Sequence, residues 1–259
     1  IITVDSGNML FSKSGKFHAG SPEYITAAAI SDIYSLLSFD AMGVGSRDLS
    51  GGPSLLISTR DKGVPWTSAN LSDHDEQLLF APHKKKSIDK MTIAIVGVTD
   101  PSPHVVEGFI IKDPVSELTP LVEELTDSFD LIILLSSLSL EDTVRLVEQL
   151  PQIDIAISAD NRKGNVAPVS AAKSLVTQTG NRGRYQGVLS VTWNGQPWGQ
   201  SNESTSRDLR HRLKSINQQL SQLQNSQWDS ISQKEKIAQL KNTWVEITQQ
   251  IEQLEKEMN

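Results

Sequence analysis

The chain has no cysteine among its 259 residues. That one absence removes disulfides, thiolate zinc sites, iron-sulfur clusters, covalent haem attachment and a cysteine nucleophile together. Long apolar runs are missing too: stretches such as Leu131 to Leu135 fall far short of the ~20 residues a membrane-spanning helix needs. Positive charge is in deficit, with Lys+Arg 24 against Asp+Glu 31 and a net charge of -7. A phosphate backbone needs concentrated Lys and Arg, so no nucleic-acid partner is expected. The one basic run, Lys84-Lys85-Lys86, reads as a solvated loop, with His83 beside it as a solvated loop histidine. What remains, 37% apolar and 21% charged residues, is the composition of a globular protein with a sizeable core. The chain opens at Ile1 without methionine or a basic, apolar leader, which leaves room for a targeting segment removed upstream.

Glycine and proline are also absent from one region. All 16 glycines and 11 prolines lie before residue 200, whereas the last 59 residues hold ten glutamines and eight basic against eight acidic side chains. The boundary divides the chain into a domain over 1–200, which carries the whole net charge, and a second over 201–259. In the second, Leu209, Leu213, Ile216, Leu220 and Leu223 are spaced 4, 3, 4, 3, and Ile237, Leu240, Trp244, Ile247, Ile251, Leu254 and Met258 continue the alternation. This is the seam of a coiled coil. Gln224 to Ile231 breaks it, with a new N-cap near Ser230 or Ser232. The spacing predicts an antiparallel helical hairpin over 206–258, with a protein partner or a second copy as the alternative cover for Trp228 and Trp244.

Across 1–200, Ile1–Val4, Ala41–Val44, Met91–Val98, Leu131–Leu135, Ile153–Ile157, Leu175–Gln178 and Val188–Trp193 are short Ile-, Val- and Leu-rich runs and read as strands. Pro22–Leu37, Val115–Ser128 and Glu141–Gln149 have helical periodicity, with starts at Ser21-Pro22, Asp113-Pro114 and Leu140 to Asp142. Alternating strand and helix predicts an α/β layered fold, whose ligands bind at the carboxyl ends of strands. Those ends carry Asp5 to Asn8, Gly45 to Asp48, Ser68 to Asn70, Ser136-Ser137, Ala159 to Arg162 and Gln178 to Gly183. They contain no histidine. Gly43-Val44-Gly45 and Gly180 to Gly183 match neither a Walker loop nor a dinucleotide fingerprint.

In their order, Asp5 to Phe11, Phe39 to Asp48, Pro65 to Leu71, Asp130 to Leu138, Ile153 to Asp160 and Gln178 to Gly187 resemble the 5′-nucleotidase branch of the calcineurin-like metallophosphoesterases over residues 1 to 192. The resemblance implies a four-layer α-β-β-α sandwich holding two divalent metal ions that activate water for phosphoester hydrolysis. It also implies export to the periplasm or cell surface. Each metal-site position that can be matched differs from the family. Asn8 stands for the bridging aspartate, Ser46 for the ligand asparagine and Arg47 for the catalytic histidine. Ser137 stands for one ligand histidine, and Asp160 with Arg162 for the two of the last block. The family's opening Asp-x-His block would precede Ile1, and the separate substrate domain of many relatives is replaced by the hairpin.

Cations about 4 Å from Arg47 or Arg162 would be repelled by about 4 kcal/mol at an effective dielectric of ~20. The reading is therefore a catalytically inactive pseudo-metallophosphoesterase without metal cofactor, acting as an interaction module. Two alternatives stay open. One is a metal-free site for phosphate, nucleotide or another anion at Arg47, Arg162, Arg182 and Asn181, with pairing to Asp48 or Asp160 as its plain competitor. The other is a residual metal-dependent phosphoesterase. Relocated serine chemistry at Ser136 or Ser137 lacks a nearby base, since His18, His74, His83, His104 and His211 lie elsewhere.

Overall fold

The computed structural model describes residues 1–101, 107–180, 185–193, 198, 202–224 and 231–258. Two compact units are present, Ile1–Trp198 and Gly199–Asn259. The first begins with β1 (Val4–Asp5), α1 (Pro22–Leu36), β2 (Ala41–Gly43), a 3-10 turn (Asp48–Gly51), α2 (Gly52–Asp61), β3 (Trp66–Thr67) and β4 (Leu71–Ser72). It continues with β5 (His83–Ile88), β6 (Met91–Val98), β7 (Ile110–Ile111), α3 (Pro114–Thr126), β8 (Leu131–Ser136), α4 (Leu140–Gln149), β9 (Ile155–Ser158), β10 (Val166–Ala171) and β11 (Ser174–Gln178).

Two sheets face each other. One has the order β1-β2-β3, all parallel, and the other the order β10-β11-β9-β8-β6-β5. In the larger sheet β6, β8, β9 and β11 are parallel, and β5 and β10 close its two sides as antiparallel strands. Three apolar layers hold the unit together. Leu118, Val122 and Leu125 of α3 with Leu146 and Val147 of α4 cover one face of the larger sheet through Ala94, Val96, Leu134 and Val176. Ile93, Ile95, Leu131, Ile133, Leu135 and Ile155 fill the space between the sheets together with Ala41. Ala27 of α1 and Leu55 and Leu56 of α2 cover Met42, Val44 and Trp66 on the outer face of the smaller sheet. The order is thus α-β-β-α, the expected four-layer sandwich.

Local chemistry explains where the helices start. The Ser21 hydroxyl accepts the Tyr24 N–H at 3.3 Å and the Asp113 carboxylate the Ser116 N–H at 2.9 Å, each followed by proline in the first turn. At α4 the cap is Ser139, one residue ahead of the expected start. Helix α2 escaped the sequence reading because Gly51-Gly52-Pro53 looks like a breaker, yet the proline occupies its first turn.

Three readings need correction. Lys84-Lys85-Lys86 is no loop: it is the middle of β5, paired along its length with β6. Its side chains alternate, so Lys86 reaches Asp40 at 2.5 Å while Lys85 lies over the Phe129 ring. His83, expected in a solvated loop, is half-buried on the same strand, edge-on to Phe129 with ring centroids 5.6 Å apart. Its Nδ1 is buried without a hydrogen-bond partner, and burial pushes its pKa down. Val188–Trp193, expected as a strand, forms no regular element.

The second unit is two helices, α5 (Asn202–Gln224) and α6 (Ile231–Met258). They run antiparallel, since Arg210 near the start of α5 pairs with Glu255 near the end of α6. Ile216, Ile247 and Ile251 are buried between them, flanked by Leu209, Leu213, Leu220 and Leu240. Trp244, counted in the seam by spacing, is 36% exposed and lies outside this core. The turn with Trp228 and the Ser230 cap lies outside the described residues. No described helix is long and apolar enough to cross a membrane.

Candidate functional site

The carboxyl ends of β1, β2, β8 and β9 meet at one end of the sandwich. Asn8 joins the loops that follow β1, β2 and β9. It adopts the left-handed conformation at φ 64 directly after Gly7 at φ 103, so the chain reverses sharply beyond β1. Its side-chain Oδ1 accepts the Arg47 N–H at 3.1 Å from the loop after β2, and its Nδ2 donates to the Ala159 carbonyl at 3.3 Å after β9. One amide thereby links three loops from two sheets. The approach is so close that a Cβ on Gly45 would lie 2.3 Å from the Asn8 Cγ.

Asp48 lies beneath this junction, fully buried. Its Oδ2 accepts the N–H groups of Asn8 at 2.7 Å and Gly45 at 2.9 Å, and its Oδ1 accepts that of Leu10 at 2.8 Å. Burial pushes its carboxyl up to about 6, against the pull of the three donors and helped by the charge of Asp5. Asp5 accepts the Gly7 N–H at 2.8 Å, and burial raises its pKa also. These carboxylates hold the backbone of their own loops. Arg47 does not pair with Asp48, whose oxygens are taken by backbone. Arg47 and Ser46 are half-buried, and no described residue hydrogen-bonds to either side chain.

At the end of β9 the expected pairing is present. Asp160 accepts from Arg162 Nε at 3.0 Å and Nη2 at 3.1 Å, from the Arg162 N–H at 2.9 Å, and from the Leu140 N–H at 3.1 Å at the start of α4. The forked guanidinium and planar carboxylate match in shape. Burial alone would raise Asp160, but these donors and the adjacent positive charge hold its carboxyl below the usual range. Gln178, buried at the end of β11, clamps the same loop by accepting the Asp160 N–H at 3.0 Å and donating to the carbonyls of Asp160, Lys163 and Gly164. The sequence marked Gln178 only as the start of a strand-end block and gave it no role, because a strand-terminal glutamine carries no motif. After β8, Ser137 Oγ donates to the Val98 carbonyl at 3.3 Å and accepts the Asp100 N–H at 2.9 Å. Asn181 and Arg182 lie outside the described residues.

A divalent cation at these strand ends would need several oxygen or imidazole ligands converging from different loops. Among the described residues no cluster of three or more His, Asp or Glu side chains is placed to hold one. Asp48 and Asp160 direct both oxygens at backbone N–H groups or Arg162, and Asn8 and Ser137 are likewise engaged. Each of these oxygens already accepts one or more hydrogen bonds, so a cation would compete with those donors for the lone pairs that remain.

No protein-family model matches the chain, and no curated protein matches it in sequence. Solved structures do match. A sulfate thiohydrolase, SoxB, from Thermus thermophilus superposes with a TM-score of 0.59 at 18% identity, covering 69% of this chain and 33% of that one. A 5′-nucleotidase precursor from Thermus thermophilus gives 0.55 at 21%, covering 68% and 39%. The fold is the metallophosphoesterase fold. The NAD nucleotidase of Haemophilus influenzae gives 0.56 at 16%, covering 69% of this chain and 40% of its own. The chain thus spans between 33% and 40% of the length of these metallophosphoesterase-fold proteins, whose activities are their own.

The Asp160–Arg162 clamp has a pH signature. A carboxyl held low in the folded state contributes stability above its unfolded value, near 3.9, and loses it as pH falls through the lower folded value. Asp160→Asn is expected to flatten the acid limb of a urea-midpoint profile below about pH 4. Parallel profiles for the two proteins would show that the clamp carries no such linkage.

Proposed function

We propose that this chain is a pseudo-metallophosphoesterase, a sandwich kept as a scaffold after the hydrolytic site became structural. The observation that supports it is the commitment of Asn8, Asp48, Ser137 and Asp160 to loop backbone and Arg162, at the strand ends where this fold would carry metals. In this reading no metal is resident and no hydrolytic step occurs. The helical pair offers contact area, since Trp244 and Val245 of α6 remain exposed. A periplasmic or cell-surface location belongs to the same proposal through the fold's resemblance alone.

The test is metal content by plasma mass spectrometry on purified protein, beside hydrolysis of p-nitrophenyl phosphate with added manganese. Substoichiometric metal and no turnover above buffer are expected. Two ions per chain with turnover abolished by Asp48→Asn and Asp160→Asn would overturn the reading in favour of a working phosphoesterase. Anion binding stands as the second reading because the Arg47 side chain has no partner among the described residues. Arg162 argues against it, being spent on Asp160. Calorimetric titration with inorganic phosphate separates the two readings: heat lost in Arg47→Gln supports anion binding, and dilution heat alone supports the scaffold.

A further inference from the structure

Helix α1 breaks the ordinary division of a surface helix into one apolar and one polar face. Its inner side rests on the core through two small buried residues, Ala27 and Ser31, with Tyr24 and Tyr34 packed beside them. The Ser31 hydroxyl donates to the Ala27 carbonyl at 2.9 Å, so this seat is complete. The large aliphatic side chains point the other way. Ile25 and Ile33 are each 59% exposed, Leu36 84% and the capping Leu37 50%, and Ala29 between the two isoleucines is exposed as well. Among the described residues no other helix exposes as many large apolar side chains.

Ile25, Ala29 and Ile33 follow one another at intervals of four, and Leu37 extends the row. This is the i±4 ridge by which helices most often pack on one another. Its polar neighbours are already satisfied, since the Thr26 hydroxyl donates to the Pro22 carbonyl and the Ser35 hydroxyl to the Asp32 carbonyl. Covering the ridge therefore strands no donor. A contiguous apolar strip of this kind marks a contact surface.

The pattern points to a second copy of the chain as the occupant. The ridge reads the same in both directions, with Ile25 and Ile33 each four residues from the small Ala29. A two-fold axis at Ala29 sets Ile25 of one copy against Ile33 of the other, twice, and the alanines let the helices cross closely. Charge agrees. At -7 the chain as a whole repels another copy, but the ridge is uncharged, and the one acid on its flank, Asp32, lies 2.5 Å from Lys62. Two-fold symmetry brings both Asp32–Lys62 pairs to the same flank, where each ammonium can face the carboxylate of the other copy. An anionic membrane surface would instead call for free basic residues around the strip, and Lys13, like Lys62, is engaged by an acid of α1, Glu23.

We propose that α1 is a homodimer interface in which the Ile25–Ala29–Ile33 ridges of two copies interlock antiparallel. The contact stands whether or not the strand-end site is hydrolytic. A helix of 15 residues is about 22 Å long, so the contact falls below the ~800 Å² per partner of a standard interface. The dimer is weak and reversible, with Kd on the order of 10 μM.

Sedimentation velocity of the full chain from about 1 to 200 μM tests it, with a reversible doubling of the weight-average mass expected as concentration rises. Ile25→Glu and Ile33→Lys, both at exposed positions, should each stay monomeric over that range. An equimolar mixture of the two should associate, because the new charges then face each other across the crossing. Trp244→Asp in α6 should dimerise like wild type. A monomeric wild type, a dimer that survives either ridge variant, or a mixture that stays monomeric overturns the proposal. So does loss of association in Trp244→Asp, which would assign the contact to the helical pair, or growth beyond two copies, which a closed two-fold contact forbids. Flotation with phosphatidylglycerol vesicles that is lost in Ile25→Glu would make lipid the occupant and overturn it too.

Discussion

Asp48→Ala is expected to lower the unfolding free energy by about 3 kcal/mol at pH 7, read from the urea midpoint. Three backbone donors, on Asn8, Leu10 and Gly45, lose their acceptor in a place water does not reach. Each orphaned buried donor costs about 1–3 kcal/mol. Against this, removal of a buried charge relieves some strain, because a rise from the ordinary 3.8 to about 6 corresponds to about 3 kcal/mol. That relief acts only while the carboxyl is ionised. The folded state holds the proton more tightly than the unfolded chain does, so the Asp48 contribution to stability falls as pH rises from about 4 to about 6 and is level above. Asp48→Ala should therefore be more damaging at pH 4.5 than at pH 7. Asp48→Asn keeps part of the acceptor set and should lose less, about 1–2 kcal/mol, with the slope between pH 4 and 6 removed. A variant whose midpoint matches wild type at both pH values would show that the junction does not depend on this carboxylate.

Gly45→Ala is expected to cost about 3 kcal/mol, at the upper end for overpacking a tight site. The added Cβ would lie 2.3 Å from Asn8 Cγ and 2.5 Å from the Asn8 backbone nitrogen. The second contact is to main chain and cannot be relieved by a rotamer. Combining Gly45→Ala with Asn8→Gly should therefore recover only part of the loss, and the shortfall is a direct measure of the backbone approach. Full recovery would place the conflict in the side chain alone, and no loss in the single variant would mean that the loops are not held this closely.

Much of the sandwich was legible in the sequence because its strands are buried on both faces. Met91–Val98 and Leu131–Leu135 read as strands from Ile, Val and Leu content alone, and Ser21 and Asp113 marked helix starts through their side-chain chemistry. The errors share a physical origin in segments where tertiary context overrides local composition. Lys84, Lys85 and Lys86 look like a solvated loop by charge, yet an edge strand exposes enough of each stem to place its ammonium at Asp40, over Phe129 or in water. Strands of two residues, such as β3, leave no periodicity to read. Trp244 obeys the heptad count but sits outside the buried core because spacing assigns a face without saying how wide the contact is. At the strand ends, residue identities located the loops but not their bonding. Asp160–Arg162 was readable as a pair from proximity, whereas Asp48 facing the backbone of Asn8 and Leu10 rather than Arg47, and Asn8 spanning three loops, are properties of contacts 38 to 151 residues apart in sequence.

The two outer strands of the larger sheet bear on how copies of this protein meet. On one side β5 presents three consecutive lysines, with Lys86 turned inward to Asp40. On the other, β10 contains Pro168, which has no N–H to offer, within the stretch where its register slips between Val166 and Val169. Like charge guards one rim and a missing donor with a local kink guards the other, two devices by which sheets refuse a neighbour. End-to-end stacking of sandwiches into ribbons is thereby disfavoured at both rims, and raised salt should weaken the charged rim while leaving the proline rim unaffected.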